Sequence, residues 1–519
     1  MEIELKFLVS TDEISSLNSA LDNSQYQIQS KPTLLLSNAY YDTPDNALRE
    51  WDFGLRTRCS ETLDGSRAME QTIKLSGGDI GGLQQRPEYT ESLPNTQTEY
   101  VFADLTLFSP SIWPSGFLAE KVQPKLLKVF ETNFERKIWL ITTANGAIIE
   151  CVLDQGQVEV TDKNGHRQQA ISEFELELQS GDVSDLIEVA TYLTSKVNAK
   201  LGYLSKAARG YMLAQEVVLK SKNLEPCRLN NDNQLEPAFI KLLTNAVNFV
   251  QHHEVVFANT KTLKSLRRVL DGISLIIHIL QLFSEYLPNS QCQKFIDLFK
   301  QWRGEHGWIE AFYQLDQLTD RKSPYRKDID KSEYLRTTLA SIKMPEDKIE
   351  KSITQFSSTQ YNHLFLSFIQ WINIKQWRTE MPLESLKLLT IPISELSEHW
   401  LDYHWLSLKE ALTVLIKQGN NLNIESAFWP LTKVLLTGVC VDSLFDNDER
   451  KLFRSHLLNL MVGFEETILL QKSELILSTN AADDVDEKEA IKWLQSKQQS
   501  LQIALDASVT AINKLKPYW

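Results

Sequence analysis

The chain opens with Met1-Glu2-Ile3-Glu4-Leu5-Lys6-Phe7-Leu8-Val9. Glu2, Glu4 and Lys6 alternate with Ile3, Leu5 and Phe7. In a β-strand that period of two sends the charged side chains to one face and the apolar ones to the other. A strand face given wholly to charge has to meet water or a charged ligand, because unpaired buried charge is too costly to keep. Two carboxylates beside an ammonium suit a site that holds a metal ion and an anion together.

The spacing recurs across the first 210 residues. Leu55-Arg56-Thr57-Arg58 puts two guanidinium groups on one strand face, and Gln71-Thr72-Ile73-Lys74-Leu75 offers Lys74. Gln85-Arg86-Pro87-Glu88-Tyr89 supplies Arg86 and Glu88 two apart, and Phe134-Glu135-Arg136 supplies Arg136. Glu150-Cys151-Val152-Leu153-Asp154-Gln155-Gly156 reads as a strand ending in a carboxylate, Asp154, before a glycine turn. Glu173, Glu175 and Glu177 repeat the opening pattern, and Leu204-Ser205-Lys206-Ala207-Ala208-Arg209-Gly210-Tyr211 returns two cations. Each piece alone could be a solvated outer face. Together they describe an antiparallel barrel, apolar outside and polar inside, whose interior needs a polyanion and divalent metal to neutralise it.

The inventory sets the chemistry. Guanidinium forks and ammonium groups grip phosphate oxygens, and carboxylates take up Mg²⁺ or Mn²⁺. Such a set can clamp a chain of phosphates and orient a water for attack. The sequence contains no nucleophilic Ser or Cys constellation, no G-x-x-x-x-G-K loop and no G-x-G-x-x-G.

These segments resemble, in order, the CYTH superfamily of triphosphate tunnel metalloenzymes. The likeness covers about residues 1 to 212 and is nearest to bacterial inorganic triphosphatases with a CHAD domain behind the catalytic one. It implies an eight-stranded antiparallel barrel, a tunnel, in an α+β chain. It implies that Glu2, Glu4, Asp154 and Glu175, with Glu173 or Glu177, hold metal, the register of the last three being open. Lys6, Arg56, Arg58, Lys74, Arg136 and Lys206 would hold the triphosphate, Lys206 being preferred to Arg209. Lys6, Lys74 and Glu88 would serve the chemistry, Glu88 on the metal side or orienting water, and Arg86 is left for the tunnel mouth. The implied reaction is metal-dependent hydrolysis of inorganic tripolyphosphate to pyrophosphate and phosphate. Other members of the family suggest ATP cyclisation or thiamine triphosphate hydrolysis, and a non-catalytic polyphosphate binder is the third reading.

At 519 residues the chain has room for two or three domains. A polar, turn-prone stretch near 220 to 237 predicts a catalytic domain over 1–215, a linker over 216–235 and an all-α bundle over 236–519. Helical periodicity marks 11–21 and then 238–256, 262–283, 291–302, 361–377, 398–417, 427–444, 449–472 and 484–514. This second half resembles a CHAD domain, a module associated with polyphosphate. Lys261, Lys264, Arg267 and Arg268 are its best match, either an anion site or a solvated helix face. The tryptophans at 302, 308, 371, 377, 400, 405 and 429 read as packing anchors.

Residues 1–220 carry 20 Lys and Arg against 31 Asp and Glu, and residues 221–519 carry 34 against 37. That acidity disfavours nucleic acid as a partner. Five scattered cysteines without Cys-x-x-Cys spacing predict reduced thiols in a cytoplasmic protein. No signal peptide and no apolar run of membrane length are expected.

Overall fold

The computed structural model describes residues 1–95, 101–341, 346–417, 424–479 and 485–519. Its strands are β1 (Glu2–Val9), β2 (Gln27–Asp42), β3 (Gly54–Thr62), β4 (Arg67–Lys74), β5 (Gly78–Ile80), β6 (Leu83–Arg86), β7 (Glu88–Leu93), β8 (Leu127–Thr142), β9 (Ile148–Asp162), β10 (Gly165–Ser180) and β11 (Ala199–Leu201). They form one curled antiparallel sheet in the order β5-β6-β1-β10-β9-β8-β2-β3-β4-β7, with β11 also on β1. The expected eight strands are therefore eleven among the described residues. Part of the difference is Pro87, which has no N–H for a ladder and splits the run 83–93 into β6 and β7. Hairpins turn where a glycine takes positive φ, at Asp64-Gly65 (φ 85°) and Asn145-Gly146 (φ 82°).

Register fixes which face each side chain takes. Lys6 pairs with Glu175 across β1 and β10, and Glu173 pairs with Asp154 across β10 and β9. Asp154 in turn faces Arg136 on β8, and Arg58 on β3 faces Glu70 on β4. The charged members of the alternation thus share the inner face. The apolar members are buried on the other side: Leu5, Phe7, Leu153, Phe174 and Leu176 are each 0 or 1% exposed, and the Phe7 and Phe174 rings stack at 4.9 Å. One end of the inner face is itself apolar, where Leu36, Tyr40, Phe130, Phe134, Val158, Ile171 and Tyr211 cluster.

The segment around Lys206 and Arg209, read from sequence among the charged strands, is a helix, Lys206–Ala214. Ser205 caps it, its Oγ accepting from Ala208 N at 3.1 Å. Gly210 lets this helix press on β8, since a Cβ there would fall 2.1 Å from the Phe130 ring.

The chain forms two compact units. The first comprises residues 1–220 together with 351–376, and the second 221–350 with 377–519. Within the first unit the helix Thr359–Asn373 packs on the helix Val183–Thr194. Asn362 Nδ2 donates to Ala199 O at 2.8 Å, and Thr359 Oγ1 to Thr194 O at 3.1 Å.

The second unit's regular elements, among its described residues, are all helices, with one isolated bridge between Gln234 and Pro392. The expected helices are present, most within four residues of their predicted ends, while the one predicted over 449–472 runs on to Thr479, and further ones such as Trp308–Thr319 lie between them. Asp484, the predicted first residue of the last helix, lies outside the described residues. The run 361–377 is cut to Thr359–Asn373 with a separate 3₁₀ turn at Gln376–Thr379. Trp371 in the first unit and Trp302, Trp377, Trp400 and Trp405 in the second are buried anchors, but Trp429 is 48% exposed under the Arg303 guanidinium. One segment, Glu425–Leu444, is long and apolar enough to cross a membrane, against expectation. Of that window 56% is buried inside the protein, as in a core helix. All five cysteines are free and buried.

Candidate active site

The inner face carries three electrostatic districts. At its centre Arg136 grips Asp154 with two parallel bonds, Nε to Oδ1 and Nη2 to Oδ2, both 2.7 Å. Arg136 also reaches Glu175 at 3.2 Å. Lys206 lies 2.7 Å from Asp154, 2.5 Å from Glu173 and 3.0 Å from Glu175. Lys6 is 2.9 Å from Glu175 and 3.6 Å from Glu173. Arg209 adds a contact to Glu173 at 3.2 Å. Lys206 and Arg209 are three apart on a helix and so share a face; both reach Glu173, Lys206 being the one the sequence reading preferred.

Burial opposes charge here, and the partners overcome it. Desolvation would raise the Glu175 carboxyl, but Lys206, Lys6 and Arg136 hold it well below its ordinary range. Asp154 is likewise lowered, against its burial, by Arg136 and Lys206. Burial would lower the Lys6 ammonium, and Glu173 and Glu175 raise it instead. Asp154, Glu173 and Glu175 bring ligand oxygens within 4.8 Å of one another, close enough to hold a cation.

The second district is acid-rich. Glu4 faces Glu177 across β1 and β10, and Glu177 faces Glu150 across β10 and β9. Lys74 sits 2.6 Å from Glu2 and 3.1 Å from Glu88. Burial raises the Glu2 carboxyl, Lys74 opposes, and Glu4 and Glu88 push it further up. Glu88 goes the other way: burial would raise it, but Lys74 and Arg56 lower it. Burial also raises Glu177; Lys74 resists, while Glu150 and Glu4 add to the rise. Carboxylates crowded with too few cations are what a hard divalent ion relieves. Glu150 was not singled out from sequence, although its place four residues before Asp154 puts both on one strand face.

The third district is cationic. Arg58 Nε donates to Asn38 Oδ1 at 2.7 Å, and Glu70 is its nearest acid, at 3.7 Å. Burial and the neighbouring Arg56 and Arg136 push the Arg58 guanidinium down to about 9. Arg56 lies 3.7 Å from Glu88, and its Nε is buried without a hydrogen-bond partner. Arg86, read as lying at the mouth, pairs with the exposed Asp52 at 3.3 Å and faces Glu2 in the ladder.

In the second unit the basic cluster is already committed. Arg267 is 3.2 Å from Glu310 and also pairs with Glu465. Arg268 bonds Asp271 and Asn223, both at 2.6 Å. Lys261 does not share their helix: it closes the preceding one in the left-handed region at φ 49° and pairs with Glu350. Lys264 is exposed.

Residues 1–211 match the family model described as the CYTH domain. A Haemophilus influenzae protein named inorganic triphosphatase is 33% identical over 218 residues, 42% of this chain and 56% of its own length. The chain thus spans little more than half of that relative. Among solved structures, the CHAD domain of Ricinus communis aligns over 57% of this chain and 98% of its own, at 14% identity and a TM-score of 0.40. A Hippeastrum protein described as an adenylyl cyclase with a dominant triphosphatase activity aligns over 42% of this chain and 98% of its own, at 16% identity and a TM-score of 0.29. Neither structural likeness is close enough to carry an argument.

Proposed function

We propose that this protein, whose residues 1–211 match the CYTH family model, hydrolyses inorganic tripolyphosphate to pyrophosphate and phosphate with the help of Mg²⁺ or Mn²⁺. One observation carries the reading. Lys6, Arg56, Arg58, Lys74, Arg136 and Lys206, from four strands and a helix, converge with Glu2, Glu4, Glu88, Asp154, Glu173, Glu175 and Glu177 on a single inner face. The named relative, an inorganic triphosphatase, supports the same substrate.

The site forms a lumen if Pro87 is its closing corner. β6 on one side of Pro87 pairs with β1, and β7 on the other pairs with β4. Counting β6 and β7 as one bent strand, eight positions then surround the charged face.

Each district has a task. Arg56 and Arg58 draw one end of the phosphate chain to the cationic side. Lys6, Arg136 and Lys206 take up its middle phosphoryl oxygens, exchanging part of their present carboxylate contacts. Glu2, Glu4, Glu150 and Glu177, with Asp154, Glu173 and Glu175 beside them, would hold the divalent metal, which when bound screens phosphoryl charge and lowers the pKa of water. Lys74 and Glu88, 3.1 Å apart, stand where they can orient an attacking water. The preformed array means little reorganisation as charge shifts to the leaving pyrophosphate.

The helical unit is read as a CHAD-like module on sequence likeness. Because Arg267 and Arg268 are matched by acids within the unit, long polyphosphate is not assigned to it. Phosphate release from tripolyphosphate, ATP, thiamine triphosphate and long polyphosphate, each with and without Mg²⁺ or Mn²⁺, tests the reading. Metal-dependent release is expected fastest with tripolyphosphate. Cyclic AMP from ATP, or no release from tripolyphosphate under any metal, would overturn it.

A further inference from the structure

Tyr40 faces Arg56 across β2 and β3 and Phe130 across β2 and β8. Its ring stacks on Phe130 at 4.5 Å and 16°, and the residue is 6% exposed. For that packing alone phenylalanine would do. A buried hydroxyl has to be matched by hydrogen bonds, so its presence asks for a reason. Its phenol stands beside the Arg56 guanidinium, its ladder partner, and a guanidinium can only donate, so the phenol proton needs another acceptor.

The surroundings indicate what should receive it. Arg56, Arg58 and Lys206 all act on the phenol strongly enough to lower its pKa, although burial pushes the other way. Arg56 Nε is a buried donor without a partner. Asn38 fixes the direction of Arg58, accepting from its Nε at 2.7 Å while donating to Thr132 O at 3.1 Å. Arg56 and Arg58 meet their acids, Glu88 and Glu70, only at 3.7 Å, and an oxyanion between them is the partner that would match both guanidinium groups.

We propose that Tyr40 is a further substrate-binding residue, its phenol donating a hydrogen bond to a phosphoryl oxygen gripped by Arg56 and Arg58. The assignment rests on the phosphate-chain reading above and extends it: the cationic end of the site recognises its phosphoryl group with a neutral donor as well as with charge. Neither the alternation of charged residues nor the family model's span points to this tyrosine.

Tyr40→Phe in the full chain keeps the Phe130 stack and removes only the hydroxyl. The KM for tripolyphosphate should rise roughly tenfold, the size of one hydrogen bond to a charged group, with kcat within about twofold. Calorimetric Kd for tripolyphosphate in EDTA should weaken by the same factor, and the melting temperature should stay within a few degrees. Unchanged Kd and KM, with or without a lowered melting temperature, would make Tyr40 a packing residue only. Wild-type binding measured in EDTA separates the two readings. A wild-type protein that binds tripolyphosphate without hydrolysing it overturns the enzymatic reading, while the comparison of Kd values still decides this one. A wild-type protein that does not bind tripolyphosphate overturns both.

Discussion

Lys206 touches three carboxylates, Asp154, Glu173 and Glu175, of which the first two are wholly buried. Replacing it by methionine keeps volume and removes the charge those acids rely on. Breaking a buried ion network from one side costs about 3 kcal/mol or more, so Lys206→Met should lose that much in urea denaturation and nearly all turnover. A stability change below about 1 kcal/mol would contradict the network as described. The pH dependence has two opposed parts. Asp154 and Glu175 have lowered folded pKa values. Their stabilisation is therefore present above the unfolded carboxylate value of about 4 and lost as pH falls through the folded one. Glu2 and Glu177 are raised, so their contribution is full below about pH 4 and disappears as pH climbs through their folded values. Metal-free protein should consequently lose melting temperature from mildly acidic pH towards neutrality. Mn²⁺ should restore it, more at pH 8 than at pH 5, and Glu177→Gln should flatten the decline. A metal-free melting temperature that rises steadily to pH 8 would contradict the acid-rich district. At this scale the strand-borne charges were legible, because alternation is visible in one dimension. The partner of each charge was not: Glu70 beside Arg58 and Glu150 beside Glu177 follow from ladder register, which the turns and the curl of the sheet set.

The helix Lys206–Ala214 delivers two cations to a sheet, and its position depends on how closely it can approach β8. Gly210 has no room for a side chain, with Phe130 Cε2 and Cδ2 at 2.1 and 2.3 Å from a built Cβ. Gly210→Ala must therefore displace either the ring or the helix, at a cost of about 1–3 kcal/mol despite the better helix propensity of alanine. Because Lys206 and Arg209 ride on the same helix, activity should fall along with melting temperature. Phe130→Leu in the same chain should recover part of both. An alanine variant as stable and active as wild type would mean that the helix has slack. Sequence reading missed this element because nine residues make only about two and a half turns, too few for a helical period to stand out from a strand repeat. The cue it passed over was Ser205, a capping residue directly before Lys206-Ala207-Ala208. Pro87 misled in a related way, since Arg86 and Glu88 look like neighbours on one strand face. They belong instead to β6 and β7, whose partners are β1 and β4. The long helices of the second unit were the easiest to recognise, their apolar stripes repeating over several turns.

Across the molecule, the division into units is the property furthest from sequence periodicity. The helix Thr359–Asn373 was predicted as one more member of a C-terminal bundle, yet residues 351–376 belong to the unit that holds the candidate active site. Nothing in its pattern of apolar residues says which surface it meets, because helix and partner lie more than 160 positions apart. Its polar contacts identify the surface. His363 Nε2 is 3.1 Å from Thr191 O, and the fully buried Asn362 donates to Ala199 O on β11. β11 pairs with β1, and Gly202 N donates to Lys6 O at 2.7 Å just beyond it. A continuous set of hydrogen bonds therefore runs from this returning helix to the strand that carries Glu2, Glu4 and Lys6. Residues 1–220 expressed alone would leave Ala199 O and Thr194 O without these partners and bare the helix face that Thr359–Asn373 covers. That fragment should melt several degrees below a single chain of 1–220 joined by a flexible linker to 351–376, with lower tripolyphosphate turnover. In the full chain, Asn362→Ala should cost about 1–2 kcal/mol, the price of a lost buried hydrogen bond, and should shift the melting of the unit that carries the charged inner face. Equal melting temperatures for the fragment and the joined chain would show that the returning helix is a passenger, and that β1 is held in register by its own sheet alone.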